Sequence, residues 1–151
     1  MIEPGKPSDI EGLVELGRAM AAESPRWSRL AYSADRVRNT ITNLLSTAEG
    51  LVLVARRDGR LVGGILAIAA PNWMSEELIA QEVALFMLPQ YRGTFTAARL
   101  VCAMAAWSKA KGARWVEAGV STGVHTERTA GLYRRLGFHP YMIGLELEHG
   151  N

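Results

Sequence analysis

Apolar residues at Ile10, Leu13, Val14, Leu16 and Met20 recur at near-helical spacing behind Ser8 and Asp9, either of which can cap a helix running to about Ala22. Glu23-Ser24-Pro25 breaks the pattern, and residues 25–32 read as a loop that carries Trp27 and Tyr32. A second helix is predicted from Ser33 or Asp35 to about Leu45, with Val37, Ile41, Leu44 and Leu45 on its apolar face. Residues 51–55 and 61–69 then form aliphatic runs on either side of Arg57-Asp58-Gly59-Arg60, whose Asp-Gly pair marks a tight hairpin. Residues 77–88 read as a further strand, about 94–111 as a long helix, 115–120 as the next strand, and 138–147 as the last. Hairpins followed by a strand-helix-strand crossover predict an α+β fold over residues 1–151. Its sheet is mixed, mostly antiparallel and flanked by helices.

Two segments carry more than pattern. In Met87-Leu88-Pro89-Gln90-Tyr91-Arg92-Gly93-Thr94-Phe95-Thr96-Ala97, an apolar strand breaks at Pro89 and resumes as a helix through a basic, glycine-bearing turn. Amides in a first helical turn have no intrahelical partner, the helix dipole is positive there, and Gly93 lets the main chain approach an anion closely. Strand, proline turn and helix is also an ordinary connection, so the turn alone is not a phosphate site. The second segment, from Thr126 through Leu132-Tyr133 to Leu136-Gly137-Phe138, reads as a short helix closed by Gly137.

Together these segments resemble the GNAT superfamily of acyl-CoA-dependent N-acetyltransferases. The family's coenzyme loop runs Gln or Arg, two residues, Gly, one residue, then Gly or Ala. Gln90-Tyr91-Arg92-Gly93-Thr94-Phe95 matches its first four positions and places Phe95 where a small residue is usual. Leu132-Tyr133 and Leu136-Gly137-Phe138 match the downstream pattern, with Thr126 and Thr129 standing where Asn and Ala are usual. Pro7-Ser8-Asp9-Ile10 is similar to the segment that opens the family's first helix.

The resemblance implies a splayed strand pair that forms the acyl-CoA cleft, and acetyl-CoA as cosubstrate for transfer to a small-molecule or peptide amine. It places main-chain groups of Leu85, Phe86 and Met87 along pantetheine, with Met87 as a donor to the thioester oxygen. Arg92, Gly93, Thr94, Phe95, Thr96 and Ala97 would hold the pyrophosphate. Tyr133 falls where the family places the tyrosine that protonates the departing thiolate, a task suited to a phenol with an ordinary pKa near ~10. A half-buried aromatic on an amphipathic helix is its plainer reading.

Glu82 is a lone charge inside Ala80-Gln81-Glu82-Val83-Ala84-Leu85-Phe86-Met87, so it must face water, a cation or a cleft. Facing a cleft, it would take the amine's proton; on a wet face, it would do nothing chemical. A bulge would leave the strand's register open. Glu23, Trp27 and Tyr32 lie in the loop with which the family shapes its acceptor pocket, and they can equally seal that loop against the core.

Composition narrows the alternatives. Residues 89–140 hold eight basic side chains against Glu117 and Glu127, a balance of +6, while the rest of the chain sums to −4 within a total of +2. That asymmetry suits a polyanionic ligand beside the second half. No dense basic stripe or interleaved aromatic set marks a nucleic-acid surface, which disfavours nucleic acid as a partner. Cys102 is the single cysteine and is expected to be a buried thiol, which excludes an internal disulfide and a cysteine metal cluster. His125, His139 and His149 lack zinc spacing, so no metal is expected. No apolar run is long enough to span a bilayer, and the first residues lack a signal-peptide core; a cytoplasmic location is the expectation. The last strand is a candidate for pairing across a homodimer. An acyl-CoA-binding module without catalysis, and less so a nucleic-acid-modifying relative, are the rival readings.

Overall fold

The structure, a computed structural model, describes residues 1–150. Five strands lie in the spatial order of the chain: β1 (Ile2–Pro4), β2 (Gly50–Arg57), β3 (Arg60–Pro71), β4 (Leu78–Met87) and β5 (Val116–Glu117). The first four pair antiparallel, whereas β5 runs parallel to β4. Helices α1 (Ile10–Glu23) and α2 (Ala34–Ser46) precede β2; α3 (Thr96–Ala110) forms the crossover from β4 to β5, and α4 (Thr126–Arg135) follows. Asp58 and Gly59 both sit at positive φ, 50° and 76°, the conformation that a two-residue hairpin turn requires.

Alternation along the strands builds a core on each face of the sheet. Leu53 and Ala55 of β2 face Leu100, Val101 and Met104 of α3, while Val52 and Val54 face Leu13, Val14, Ile41 and Leu44 of α1 and α2. The three α3 residues are fully buried, each worth about 1.5–3 kcal/mol by burial of apolar surface. Ser33 caps α2 by accepting from the Arg36 N–H at 3.2 Å. Asp9 instead serves tertiary structure: it accepts from the Lys6 N–H at 2.9 Å and pairs with Arg56, which also donates to Glu3 at 2.5 Å.

Several expectations are corrected. The 138–147 segment forms no strand, because β5 is two residues long and offers it no ladder. Side chains tether it instead: Glu146 and Glu148 pair with Arg29 at 3.0 and 2.7 Å, Glu146 also with Arg26, and the Tyr141 hydroxyl donates to Glu117. The strand expected over 115–120 shrinks to Val116–Glu117. β1 was not foreseen, and a short helical turn at Trp27–Arg29 interrupts the 25–32 loop. Cys102 lies on the outer face of α3 and is exposed.

Burial alone would raise the Asp9 carboxyl, but Arg56 and the Lys6 N–H override it and hold the group below its ordinary value. Replacing Arg56→Met leaves that carboxylate buried without its cation and is expected to cost about 3 kcal/mol. The loss reads out as a lower urea midpoint; an unchanged midpoint would contradict this role.

Candidate active site

β4 follows β3 over its whole length but keeps company with β5 only at Ala80 opposite Val116 and Gln81 opposite Glu117. Beyond Gln81 the two strands part. In the β3 ladder Leu66 opposes Ala84 and Ala67 opposes Glu82, which leaves Val83 as an extra residue. This insertion decides which face Glu82 occupies. Strict alternation would put Glu82 on the same face as Ala84 and Phe86, toward α1 and α2. The bulge turns it to the face of Ala67, Leu85 and Met87, where α4 presents Tyr133.

There the Tyr133 hydroxyl donates a hydrogen bond to a Glu82 carboxylate oxygen. Tyr133 is buried and its ring meets Phe138 edge to face at 5.1 Å. Burial pushes the Glu82 carboxyl up to about 7, against the opposing pull of the tyrosine's hydrogen bond. Burial, the Glu82 charge and the same hydrogen bond together push the phenol far above its ordinary range, so it holds its proton. A carboxyl poised near neutrality and a phenol that stays protonated in the resting protein thus share one contact.

The main-chain geometry of β4 completes this end. The Leu88 N–H donates to Val62 O at 2.9 Å, and in the same register Gly64 opposes Phe86. Antiparallel alternation therefore turns the polar groups of Phe86 toward β3 and those of Leu85 and Met87 toward the gap left by β5. Of the three residues expected along pantetheine, Leu85 and Met87 present main-chain donors to the gap and Phe86 does not.

At the other end, residues 88–95 turn from β4 into α3. Gly93 sits at φ 81°, and a Cβ there would fall 2.7 Å from the Arg128 guanidinium. Arg128, in the first turn of α4, thus overhangs the glycine main chain while forming no ion pair among the described residues. Thr94 Oγ1 donates to Tyr91 O at 3.1 Å and accepts weakly from the Thr96 N–H at 3.4 Å. The Ala97 N–H, next in that first turn, has no intrahelical acceptor. Phe95 leaves the corner open, with its side chain 82% exposed.

Arg92 behaves differently from its expected role. Its guanidinium grips both oxygens of Glu23 at 2.6 and 2.5 Å, and its Nε donates to Met87 O at 2.9 Å. It therefore ties the end of α1 to the end of β4 and is not a free cation for phosphate. The bond from Arg92 holds Glu23 below its ordinary pKa and neutralises it, so Glu23 is not a free anion for an ammonium group either.

A groove of about 590 Å³ connects the two ends, running from Glu82 and Tyr133 past Leu85 and Met87 to Gly93 and Arg128. Trp27 reaches its wall, as does His125, a non-glycine residue in the left-handed region at φ 48°. Tyr32 does not. It donates to Val14 O at 2.6 Å and lines a separate cavity between α1, α2 and β4. The sequence reading missed Arg128 and Val83; Arg128 lay inside the second motif, but nothing in a sequence tells a free arginine from a paired one.

The sheet thus splits along one strand, with an amide-rich turn at the far end of the split and a hydrogen-bonded carboxyl and phenol at the near end. Residues 48–140 match the family model described as an acetyltransferase (GNAT) domain, and the chain belongs to that family. Among curated proteins no significant match is found. Solved structures share the fold at low identity. A transcriptional regulator from Bacillus halodurans C-125 is 17% identical, with a TM-score of 0.78 and 99% of each chain covered. AAC(6')-Iy in complex with the bisubstrate analogue CoA-S-monomethyl-acetylneamine is 17% identical, with a TM-score of 0.78 and 100% of this chain and 98% of that one covered. The ribosomal-protein-alanine N-acetyltransferase from Brucella melitensis biovar Abortus 2308 is 17% identical, with a TM-score of 0.73 and 99% of each chain covered. Among the described residues no helix is long and apolar enough to cross a membrane, and no cluster of three metal-ligating side chains occurs.

Since burial raises the Glu82 carboxyl in the folded chain, its protonation favours folding. That contribution is complete below its unfolded value of 4.5 and is lost as pH rises through about 7. Glu82→Gln keeps an acceptor for Tyr133 and removes the charge. Calorimetry is expected to show a Tm several degrees higher than wild type near pH ~8 and equal to it near pH ~4. A Tm unchanged at the higher pH would mean that the carboxylate is solvated.

Proposed function

We propose that the protein is an acetyl-CoA-dependent N-acetyltransferase that moves the acetyl group directly to a primary amine within a ternary complex. The observation that carries this reading is the hydrogen bond between Tyr133 and Glu82 at the head of the split between β4 and β5. The groove supports a coenzyme pose in which the Leu85 and Met87 amides run along the pantetheine arm, and Gly93, Ala97 and Arg128 receive the pyrophosphate. The described residues contain no other buried acid-base pair in this groove, and Cys102 faces outward, away from any acyl-enzyme role.

In the proposed reaction the neutral amine nitrogen attacks the thioester carbonyl carbon. The developing oxyanion is met by the Met87 N–H, a fixed dipole that needs no reorganisation. As the tetrahedral adduct forms, ionised Glu82 accepts the ammonium proton. Collapse of the adduct breaks the carbon–sulfur bond, and Tyr133 gives its proton to the thiolate. Protonated Glu82 then returns a proton to the Tyr133 oxygen through their shared hydrogen bond. One proton has passed from amine to thiol, and both side chains are reset.

The high phenol pKa serves this scheme. A tyrosine that ionised easily would lose its proton to solvent before a thiolate was available, whereas burial, and then the Glu82 charge and hydrogen bond, hold the Tyr133 proton until protonation of Glu82 lifts part of that opposition.

Tyr133→Phe keeps the ring against Phe138 and removes the hydroxyl. It is expected to lower kcat by about a hundredfold while leaving acetyl-CoA affinity within about threefold. Its second signature is in the pH profile. Wild-type kcat/KM should rise with an apparent pKa of about 7 as Glu82 ionises, and the variant's limb should move to higher pH, because the lost hydrogen bond was lowering that value. An unchanged kcat would remove Tyr133 from proton transfer.

A further inference from the structure

We infer that the acceptor is a monoamine with an uncharged apolar body, such as an arylalkylamine, and that this body occupies the cavity between α1, α2 and β4. The inference rests on the transferase reading above and names its substrate class. The cavity measures about 390 Å³ and lies across the sheet from the α3 face, with Leu13, Leu16, Met20, Trp27, Leu30 and Val83 on its walls. It is not isolated from the chemistry. Met20, Trp27, Val83, Ala84 and Phe86 line both this cavity and the coenzyme groove, so the two spaces meet at the bulge beside Glu82. Glu82 lines the groove and not the cavity, so an amine lodged here by its body reaches that base by extending its nitrogen past the shared residues into the groove.

Charge selects against the alternative acceptors. Aminoglycosides and polyamines carry several ammonium groups, and each must find a carboxylate or stay in water. Arg36 is the one charged residue lining this cavity, and it is a cation that repels further ammonium groups. Glu23, the carboxylate nearest in sequence to Trp27, is neutralised by Arg92. What remains is one base at the junction and an apolar enclosure, a match for one nitrogen on a hydrocarbon frame. Size agrees: the space takes an aromatic ring with a short alkyl chain and excludes a trisaccharide from full burial.

The test is a thiol-release assay at saturating acetyl-CoA with ethylamine, butylamine, hexylamine, 2-phenylethylamine, spermidine and kanamycin. The expected result is a kcat/KM that climbs by about fourfold for each methylene buried, so that 2-phenylethylamine exceeds ethylamine by about a hundredfold and outruns both polycations. Leu30→Asp places a charge at the cavity mouth on a side chain already 65% exposed, so the fold is retained. It should lower kcat/KM for 2-phenylethylamine about tenfold more than for ethylamine. A flat response to chain length, or kanamycin or spermidine as the best acceptor, would overturn the acceptor class and leave the transferase standing. Acetyl-CoA bound in calorimetry with no thiol released from any amine would overturn the transferase reading itself, and this inference with it.

Discussion

One extra residue in β4 organises the molecule. Val83 has no counterpart in β3, and three consequences follow from its insertion just where β5 departs. Glu82 changes face and meets Tyr133; Leu85 and Met87 keep their amides on the open edge; and the cavities on the two sides of the sheet come to share a wall. A regular strand of the same composition would turn the glutamate toward α1 and α2, across the sheet from Tyr133. The sheet tolerates the defect because β3 and β4 remain paired on both sides of it, from Pro71 opposite Leu78 to Gly63 opposite Met87.

Glu82 is held at a cost to stability, since burial opposes its charge and only one hydrogen bond answers it. That imbalance is what places the carboxyl near neutrality. The two cores offset it, with Leu100, Val101 and Met104 of α3 fully buried on one face and α1 and α2 packed on the other. The Glu23–Arg92 pair has a mechanical task beside them: it anchors the end of α1 to the Met87 carbonyl, fixing the turn whose amides face the groove.

Much of this was legible in the chain. The Asp58-Gly59 turn, both first helices, the strand-turn-helix through Gly93 and the Tyr133 helix all follow from local rules of period, capping and backbone freedom, and all are present. What escaped was pairwise or long-range. Glu23 and Arg92 are 69 positions apart, so two residues assigned to separate ligands turn out to neutralise each other. Cys102 sits in an apolar stretch, yet helical phase turns it to solvent. Residues 138–147 carry a strand-like pattern, but a strand needs an edge to pair with and β5 supplies none. The Val83 bulge left no local signature, since Glu82-Val83-Ala84 reads the same with or without it.

Coenzyme A is proposed to enter the gap opened beyond Gln81. Titration of the isotope-labelled protein with coenzyme A, followed through its backbone amide resonances, tests it directly. The largest shifts are expected on Leu85, Met87, Gly93 and Ala97, while Ile2 and Glu3 in β1 at the far edge of the sheet stay in place. Binding that leaves those four amides unmoved, or no binding at all, would contradict that placement.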